Sequence, residues 1–233
     1  MYYLLAALTA VGFLVCPYLV FHNAPIEPQM GFIQKIFYFH VPCAWQMLFG
    51  AITCGIGGAV FLFKRKPWAD RLTTAASELT VVFGALVMTS GPLWARKAWG
   101  HYWVWDARLT SLLILFLTFL GVMLARRYAG PAGRRIAAGA ALFGAINVPL
   151  VYVSVRIWKT NHPSNTVVTT LSPAMRLAFW LSVLTFTLLF VLMMWTRMRT
   201  GRLEDEVDEL AIAIADRGPA APRKRDAKAP EEE

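Results

Sequence analysis

Charged residues are scarce in this sequence of 233 residues. Asp, Glu, Lys and Arg make up 16% of the chain, whereas hydrophobic residues make up 57%. A water-soluble domain of this size needs more charged surface, so the composition indicates an integral membrane protein. The net charge of +9 would suit nucleic acid. Because the basic residues instead cluster at the ends of apolar runs, we expect membrane lipid around the chain and no nucleic-acid partner.

Cysteine is also rare, and several catalytic motifs are missing. The three cysteines show no C-x-x-C spacing, which excludes a thiol redox pair. The sequence has no G-x-x-x-x-G-K-S/T loop for nucleotide phosphates, so any use of ATP belongs to a partner. It has neither a Ser-His-Asp order nor a paired-carboxylate site. The sequence therefore offers none of these catalytic sites.

Apolar runs dominate what is present. Six of them approach the ~20 residues that a helix needs to cross a bilayer. They lie at 2–21, 39–63, 72–88, 109–125, 136–155 and 177–195. We predict an all-α integral membrane protein with six transmembrane helices, a membrane domain over 1–200 and a largely disordered cytoplasmic tail over 201–233. Within that tail, the acidic segment 203–210 has the composition of a short amphipathic helix.

The basic residues predict the orientation. Lys64, Arg65 and Lys66 follow the second run, and Arg126 and Arg127 follow the fourth. By the positive-inside rule these links are cytoplasmic, which places both termini in the cytoplasm. The segments after the first, third and fifth runs then share the opposite side, and they contain all four histidines.

Two of those histidines are candidate metal ligands. His40 lies in the segment F-Y-F-H-V-P at the start of the second run, and His162 lies in W-K-T-N-H-P after the fifth. A neutral imidazole is a good ligand for iron. The alternative is a pair of interfacial histidines hydrogen-bonded to backbone or water. His22 and His101 are weaker candidates.

Aromatic residues crowd into one stretch between the third and fourth runs, at about 94–110. It contains Trp94, Trp99, Tyr102, Trp103 and Trp105. On a helix, Trp99 and Trp103 would lie on one face, at i and i+4, with Asp106 at i+7. Interfacial anchoring is one explanation for such rings. Because an anchoring belt needs fewer of them, we favour a flat binding surface for a large planar ligand.

Charged residues accompany this aromatic stretch. Arg108 is placed to pair with Asp106 or to meet an anionic ligand. Further cations lie nearby in sequence, namely Arg96, Lys97 and Lys159. Apolar faces, cations for two propionates and imidazoles for iron are together what a porphyrin requires.

Glu78 is an ionisable residue within the third run, near its cytoplasmic end. Such a residue is costly in a bilayer and indicates either a function or a partner. We favour its reaching the inner interface, where Arg71 lies two turns away.

The pattern Trp99-Gly100-x-x-Trp103-x-Trp105-Asp106 resembles the tryptophan-rich signature of membrane proteins that handle haem in cytochrome c biogenesis. The segments 35–42, 105–111 and 147–152 look like those of the haem exporter protein C family. The resemblance covers about 35–195. It departs in the third outer loop, where relatives have a Trp-Trp pair and a Leu-His-Gln run. This chain has Ile157-Trp158 and Asn161-His162-Pro163 there.

The resemblance implies a function, a site and partners. His40 and His162 would be axial ligands of haem iron, while Trp99, Trp103 and Trp105, with Asp106 and Arg108, would hold the porphyrin. The family presents haem b, bound transiently and non-covalently at the periplasmic face of the bacterial inner membrane, to a membrane-anchored haem chaperone. Its other partners are an ABC-type ATPase subunit, a second membrane subunit and a small single-span subunit.

Two other function classes remain open from the residues. One is an electron-transfer subunit resembling a membrane cytochrome b, and the other is a permease subunit without haem. A fixed bis-histidine haem usually has ligands within the bilayer on facing helices, whereas these histidines gather on one side. Haem ligases that share the signature are generally longer, with further spans.

Overall fold

The computed structural model describes residues 1–158, 160–162 and 167–216. The α-helices in this part of the chain are α1 (Tyr2–Tyr18), α2 (Phe37–Lys64), α3 (Pro67–Trp99), α4 (Ala107–Tyr128), α5 (Gly133–Ile157), α6 (Val167–Thr170) and α7 (Pro173–Asp216). Short π- or 3-10 segments occur at Leu19–Asn23, Phe32–Ile36 and Gly130–Ala132. Six helical segments are long and apolar enough to cross a membrane, which confirms the predicted number of spans. The cytoplasmic location of both termini stays a prediction.

Helix α3 is longer than the sequence pattern predicts and ends inside the aromatic stretch. It begins with Pro67 in its first turn, where the missing N–H costs nothing. It ends at Trp99 because Gly100 adopts a φ of 81°, which favours glycine, and donates its N–H to the Arg96 carbonyl. The prediction that Trp99, Trp103 and Asp106 share a helix face is therefore wrong. Residues 101–106 form a non-helical loop that leads into α4.

Helix α2 lies at the centre of the bundle, where it packs against α3, α5 and α7. Its contact with α5 depends on small residues, as is common between membrane helices. A Cβ atom added to Gly55 would lie 2.2 Å from the Cβ of Ala145, and one added to Gly58 would lie 2.7 Å from the carbonyl oxygen of Ala138. The two helices therefore cross closely at this level.

Ion pairs join the helices at the end of the bundle that carries the basic links. The guanidinium of Arg126 contacts both carboxylate oxygens of Asp70, at 2.6 and 3.1 Å, and ties α4 to α3. Glu78 accepts two hydrogen bonds from Arg197 on α7, at 2.6 and 3.1 Å. Arg71, the neighbour expected for Glu78, pairs with Asp205 instead. Glu78 thus has a partner that lies far away in sequence.

Helix α7 continues past the apolar run without a break as far as Asp216. Residues 201–216 are therefore helical, so the short helix predicted at 203–210 is longer than expected and is continuous with α7. Arg197, which binds Glu78, also pairs with Glu204 at 3.1 Å and so supports this extension. The rest of the predicted disordered tail, 217–233, lies outside the described residues.

Candidate functional site

The site lies at the end of the bundle opposite these ion pairs. A cavity of about 900 Å³ is lined by residues of all the helices from α2 to α7 and of the loops between them. His40, His162, Trp99, Trp103 and Arg108 all line it. Most of the remaining lining is apolar or aromatic and includes Trp45, Val87, Trp94, Val148, Tyr152 and Trp180. The fold thus brings residues from distant parts of the chain to one apolar cavity.

His40 lies in the first turns of α2, and its imidazole is held from α3. Its Nδ1 lies 2.9 Å from the Oγ of Ser90, while the Cε1 corner of the ring lies against Gly91. His162 and Arg108 are close enough for their charges to act on the His40 ring. The two candidate ligands therefore lie near each other across the same cavity, as the sequence predicts.

Asp106 holds the segment that carries His162. One carboxylate oxygen caps α4 by accepting the Leu109 N–H at 2.8 Å, and the other accepts the hydroxyl proton of Thr160. The Oγ of Thr160 accepts the backbone N–H of His162 at 3.1 Å. Asp106 lies outside the cavity lining, so its contacts are those of a residue that positions His162.

Arg108 brings positive charge into the cavity. Its guanidinium donates a hydrogen bond to the Val151 carbonyl at 2.9 Å, which aims the side chain from α4 towards α5. Among the described lining residues, Arg108 is the only arginine or lysine. Arg96 and Lys97 are exposed and outside the lining, and Lys159 lies outside the described residues.

Of the four indole rings in the aromatic stretch, three line the cavity and one does not. Trp99 packs edge-on against Trp94, and Trp103 packs edge-on against Trp105, each with ring centroids 5.7 Å apart. Trp105 is 75% exposed and does not line the cavity. The Nε1–H of Trp103 is buried and lacks a hydrogen-bond partner among the described residues. A buried donor of this kind is paired in most proteins, with a protein group, a water or a ligand.

Several contributors to the site carry no signal in the sequence. Ser90 and Thr160 are ordinary polar residues in their local patterns, and only the folded chain shows what they touch. Gly91 precedes Pro92, and this pair just after the third apolar run was the one available hint of a special position. His22 and His101 do not line the cavity.

Comparison with known proteins identifies the family of this chain. The family model described as "Heme exporter protein C" matches residues 1–213. The chain is 38% identical to the heme exporter protein C of Bradyrhizobium diazoefficiens over 200 residues, which covers 83% of this chain and 76% of that one. It is 34% identical to that of Escherichia coli K12, covering 77% and 74% of the two chains.

A plant relative extends the similarity beyond bacteria. A ccmC-like mitochondrial protein of cytochrome c biosynthesis from Marchantia polymorpha is 33% identical over 150 residues, or 64% of each chain. Because the family match spans most of the sequence, the chain belongs to the haem exporter protein C family.

Proposed function

We propose that this protein binds haem b transiently at the periplasmic face of the bacterial inner membrane, during cytochrome c maturation, and passes it to a membrane-anchored haem chaperone. The observation that carries the proposal is the placement of His40 and His162 on one apolar cavity beside Trp99, Trp103 and Arg108. The cavity contains groups suited to the porphyrin ring, the iron and the propionates of haem.

The size and lining of the cavity suit the porphyrin ring. A volume of about 900 Å³ lies within the range of roughly 300–1,000 Å³ that is usual for small-molecule and cofactor sites. Indole faces provide flat apolar surface for stacking. The two imidazoles provide the nitrogen ligands that haem iron accepts at its axial positions.

The polar groups of the cavity suit the haem propionates. Arg108 supplies a permanent positive charge, and its planar guanidinium matches a carboxylate. The buried Nε1–H of Trp103 supplies a donor without a protein acceptor among the described residues. A carboxylate that accepts this hydrogen bond would remove the cost of leaving the donor unpaired.

The mode of binding suits a cargo rather than a resident cofactor. The sequence has no C-x-x-C-H motif, so haem is held by ligation and packing alone. The exposed Trp105 beside the cavity offers a surface to the chaperone. An ABC-type ATPase subunit, a second membrane subunit and a small single-span subunit complete the assembly, and the ATPase subunit hydrolyses ATP. This protein itself delivers haem and is not an enzyme.

The proposal is tested by the absorbance spectrum of the purified protein after expression with ample haem. We expect a Soret band of b-type haem that is lost when the protein is denatured, and transfer of that haem to the purified chaperone. A spectrum without haem would contradict the proposal and favour a permease subunit. Haem that stays bound and is reduced by quinol would favour an electron-transfer subunit.

Replacing Thr160 with valine is expected to weaken haem binding roughly fivefold. The variant keeps the Asp106 cap of α4 but removes the hydroxyl that links Asp106 to the backbone of His162. A hydrogen bond of this kind contributes about 1 kcal/mol, which corresponds to this change in affinity. Haem titration followed at the Soret band measures it.

The matched control for this variant is Thr170→Val. Thr170 is exposed, and its hydroxyl donates only to the Val167 carbonyl within α6, at 2.8 Å. The control should bind haem as the wild type does. Equal affinities for both variants would show that the link to His162 does not support the ligand.

A further inference from the structure

The Ser90 hydroxyl lies between two hydrogen-bonding groups, and only one arrangement of protons satisfies both. Its Oγ is 2.6 Å from the carbonyl oxygen of Leu86, one turn earlier in α3, and 2.9 Å from Nδ1 of His40. A carbonyl oxygen can only accept, so the single hydroxyl proton of Ser90 points to Leu86. The Ser90 oxygen is then left as an acceptor towards His40.

This arrangement fixes the tautomer of the His40 imidazole. Because the Ser90 oxygen accepts, Nδ1 of His40 must carry the proton. In the neutral ring the other nitrogen, Nε2, then has its lone pair free. A lone pair on Nε2 is what an iron ligand requires, and the tautomer would be undetermined without a partner on Nδ1.

The next residue, Gly91, fixes the position of the same ring. A Cβ atom added there would lie 3.1 Å from Cε1 of His40, 3.8 Å from Nδ1 and 3.9 Å from Nε2. The ring therefore lies directly on the backbone of α3. Any side chain at position 91 would press on the Cε1 corner of the ring, between its two nitrogens.

We propose that Ser90 and Gly91 are positioning residues for haem ligation: Ser90 holds His40 as the Nδ1–H tautomer with Nε2 free for iron, and Gly91 leaves room for the ring. The inference rests on the proposed haem-binding function. The kind of group that contacts Nδ1 also affects how easily haem is released. A carboxylate partner on Nδ1 raises the basicity of a ligating imidazole, whereas a neutral hydroxyl raises it less. Ser90 thus orients the ligand without making it a strong one.

The first test replaces Ser90 with alanine, with Thr89→Ala as the control. Thr89 is the neighbouring hydroxyl on α3, is exposed, and donates to the Ala85 carbonyl at 2.8 Å. Loss of a partner that orients a ligand typically lowers affinity about 10- to 100-fold. We expect a fall in haem affinity of about this size for Ser90→Ala, with altered resonance Raman and EPR signatures of the axial ligand. Ser90→Thr should restore the haem affinity and the ligand spectra. Thr89→Ala should leave the affinity and the spectra unchanged.

The second test replaces Gly91 with alanine, with Gly121→Ala as the control. Gly121 lies on α4, and a Cβ atom added there meets nothing within 4 Å. Alanine favours a helix over glycine, so on propensity alone neither change should harm folding. We expect Gly91→Ala to fold with wild-type thermal stability or better, yet to lose haem and shift its ligand spectrum. Gly121→Ala should retain its haem and the wild-type ligand spectrum.

The outcomes separate this inference from the proposed function. If the wild-type protein binds no haem, or if His40→Ala binds it as well as the wild type, the proposed function fails. If the wild type binds haem through His40 while Ser90→Ala and Gly91→Ala match it in affinity and ligand spectrum, the positioning roles alone are overturned.

Discussion

Replacing His40 with alanine is expected to remove nearly all haem from the purified protein and to abolish loading of the chaperone. The imidazole lines the cavity and is fixed against α3, and without it His162 is the one imidazole left among the described lining residues. Loss of a residue that merely supports a ligand costs about tenfold or more in affinity, and loss of the ligand itself should cost at least that. The haem content per protein, measured by pyridine haemochrome after purification, gives the result.

His22→Ala is the matched control for this prediction. His22 lies on the same side of the bundle, but it is exposed, packs against the Tyr18 ring and does not line the cavity. Its loss should leave the haem content and chaperone loading unchanged. Equal haem content in the wild type and His40→Ala would remove His40 from the site.

Replacing Arg126 with alanine is expected to destabilise the protein by about 3–5 kcal/mol, the usual cost of breaking a buried ion pair. The Asp70 side chain is only 10% exposed, and Arg126 contacts both of its oxygens. Arg134 lies 3.6 Å from Asp70 but is 65% exposed, so it offsets only part of the loss. We therefore expect the free energy of unfolding to fall by about 3 kcal/mol, the lower end of this range. Reversible unfolding in mixed micelles measures it.

The adjacent residue provides the control for Arg126→Ala. Arg127 is exposed and lies over the Tyr128 ring, so Arg127→Ala should change the free energy of unfolding much less. Adding Asp70→Asn to Arg126→Ala should recover part of the stability, because no unpaired carboxylate is then left buried. Similar losses for Arg126→Ala and Arg127→Ala would show that the ion pair is not a principal contact between α3 and α4.

The sequence predicted the helices well because membrane spans depend on a simple physical requirement. A helix that crosses a bilayer needs an apolar run of sufficient length, and such runs are visible without knowledge of packing. The grouping of His40, His162 and the tryptophans on one side followed from counting crossings. The cavity that joins His40, His162, Trp99, Trp103 and Arg108 agrees with that argument.

The remaining features could not be predicted because they depend on contacts between distant residues. Glu78 pairs with Arg197, and Asp106 accepts a hydrogen bond from Thr160. In each case the two residues are far apart in sequence. The end of α3 at Trp99 depends on a single glycine, Gly100, whose conformation overrides the helical spacing of the aromatic residues. The role of Ser90 is visible only from the directions of its two hydrogen bonds.

The cavity extends far along α2, and this determines what surrounds a bound porphyrin. Its lining on this helix runs from Phe37 to Ile52, which is about 22 Å at the rise of an α-helix. Phe49 and Ile52 are 52% and 41% exposed, so this wall also faces the hydrocarbon of the bilayer. With haem bound in the cavity as proposed, acyl chains would contribute to its environment. The affinity for haem would then be a joint property of protein and lipid, and we expect values obtained in detergent and in nanodiscs to differ even when every ligand is intact.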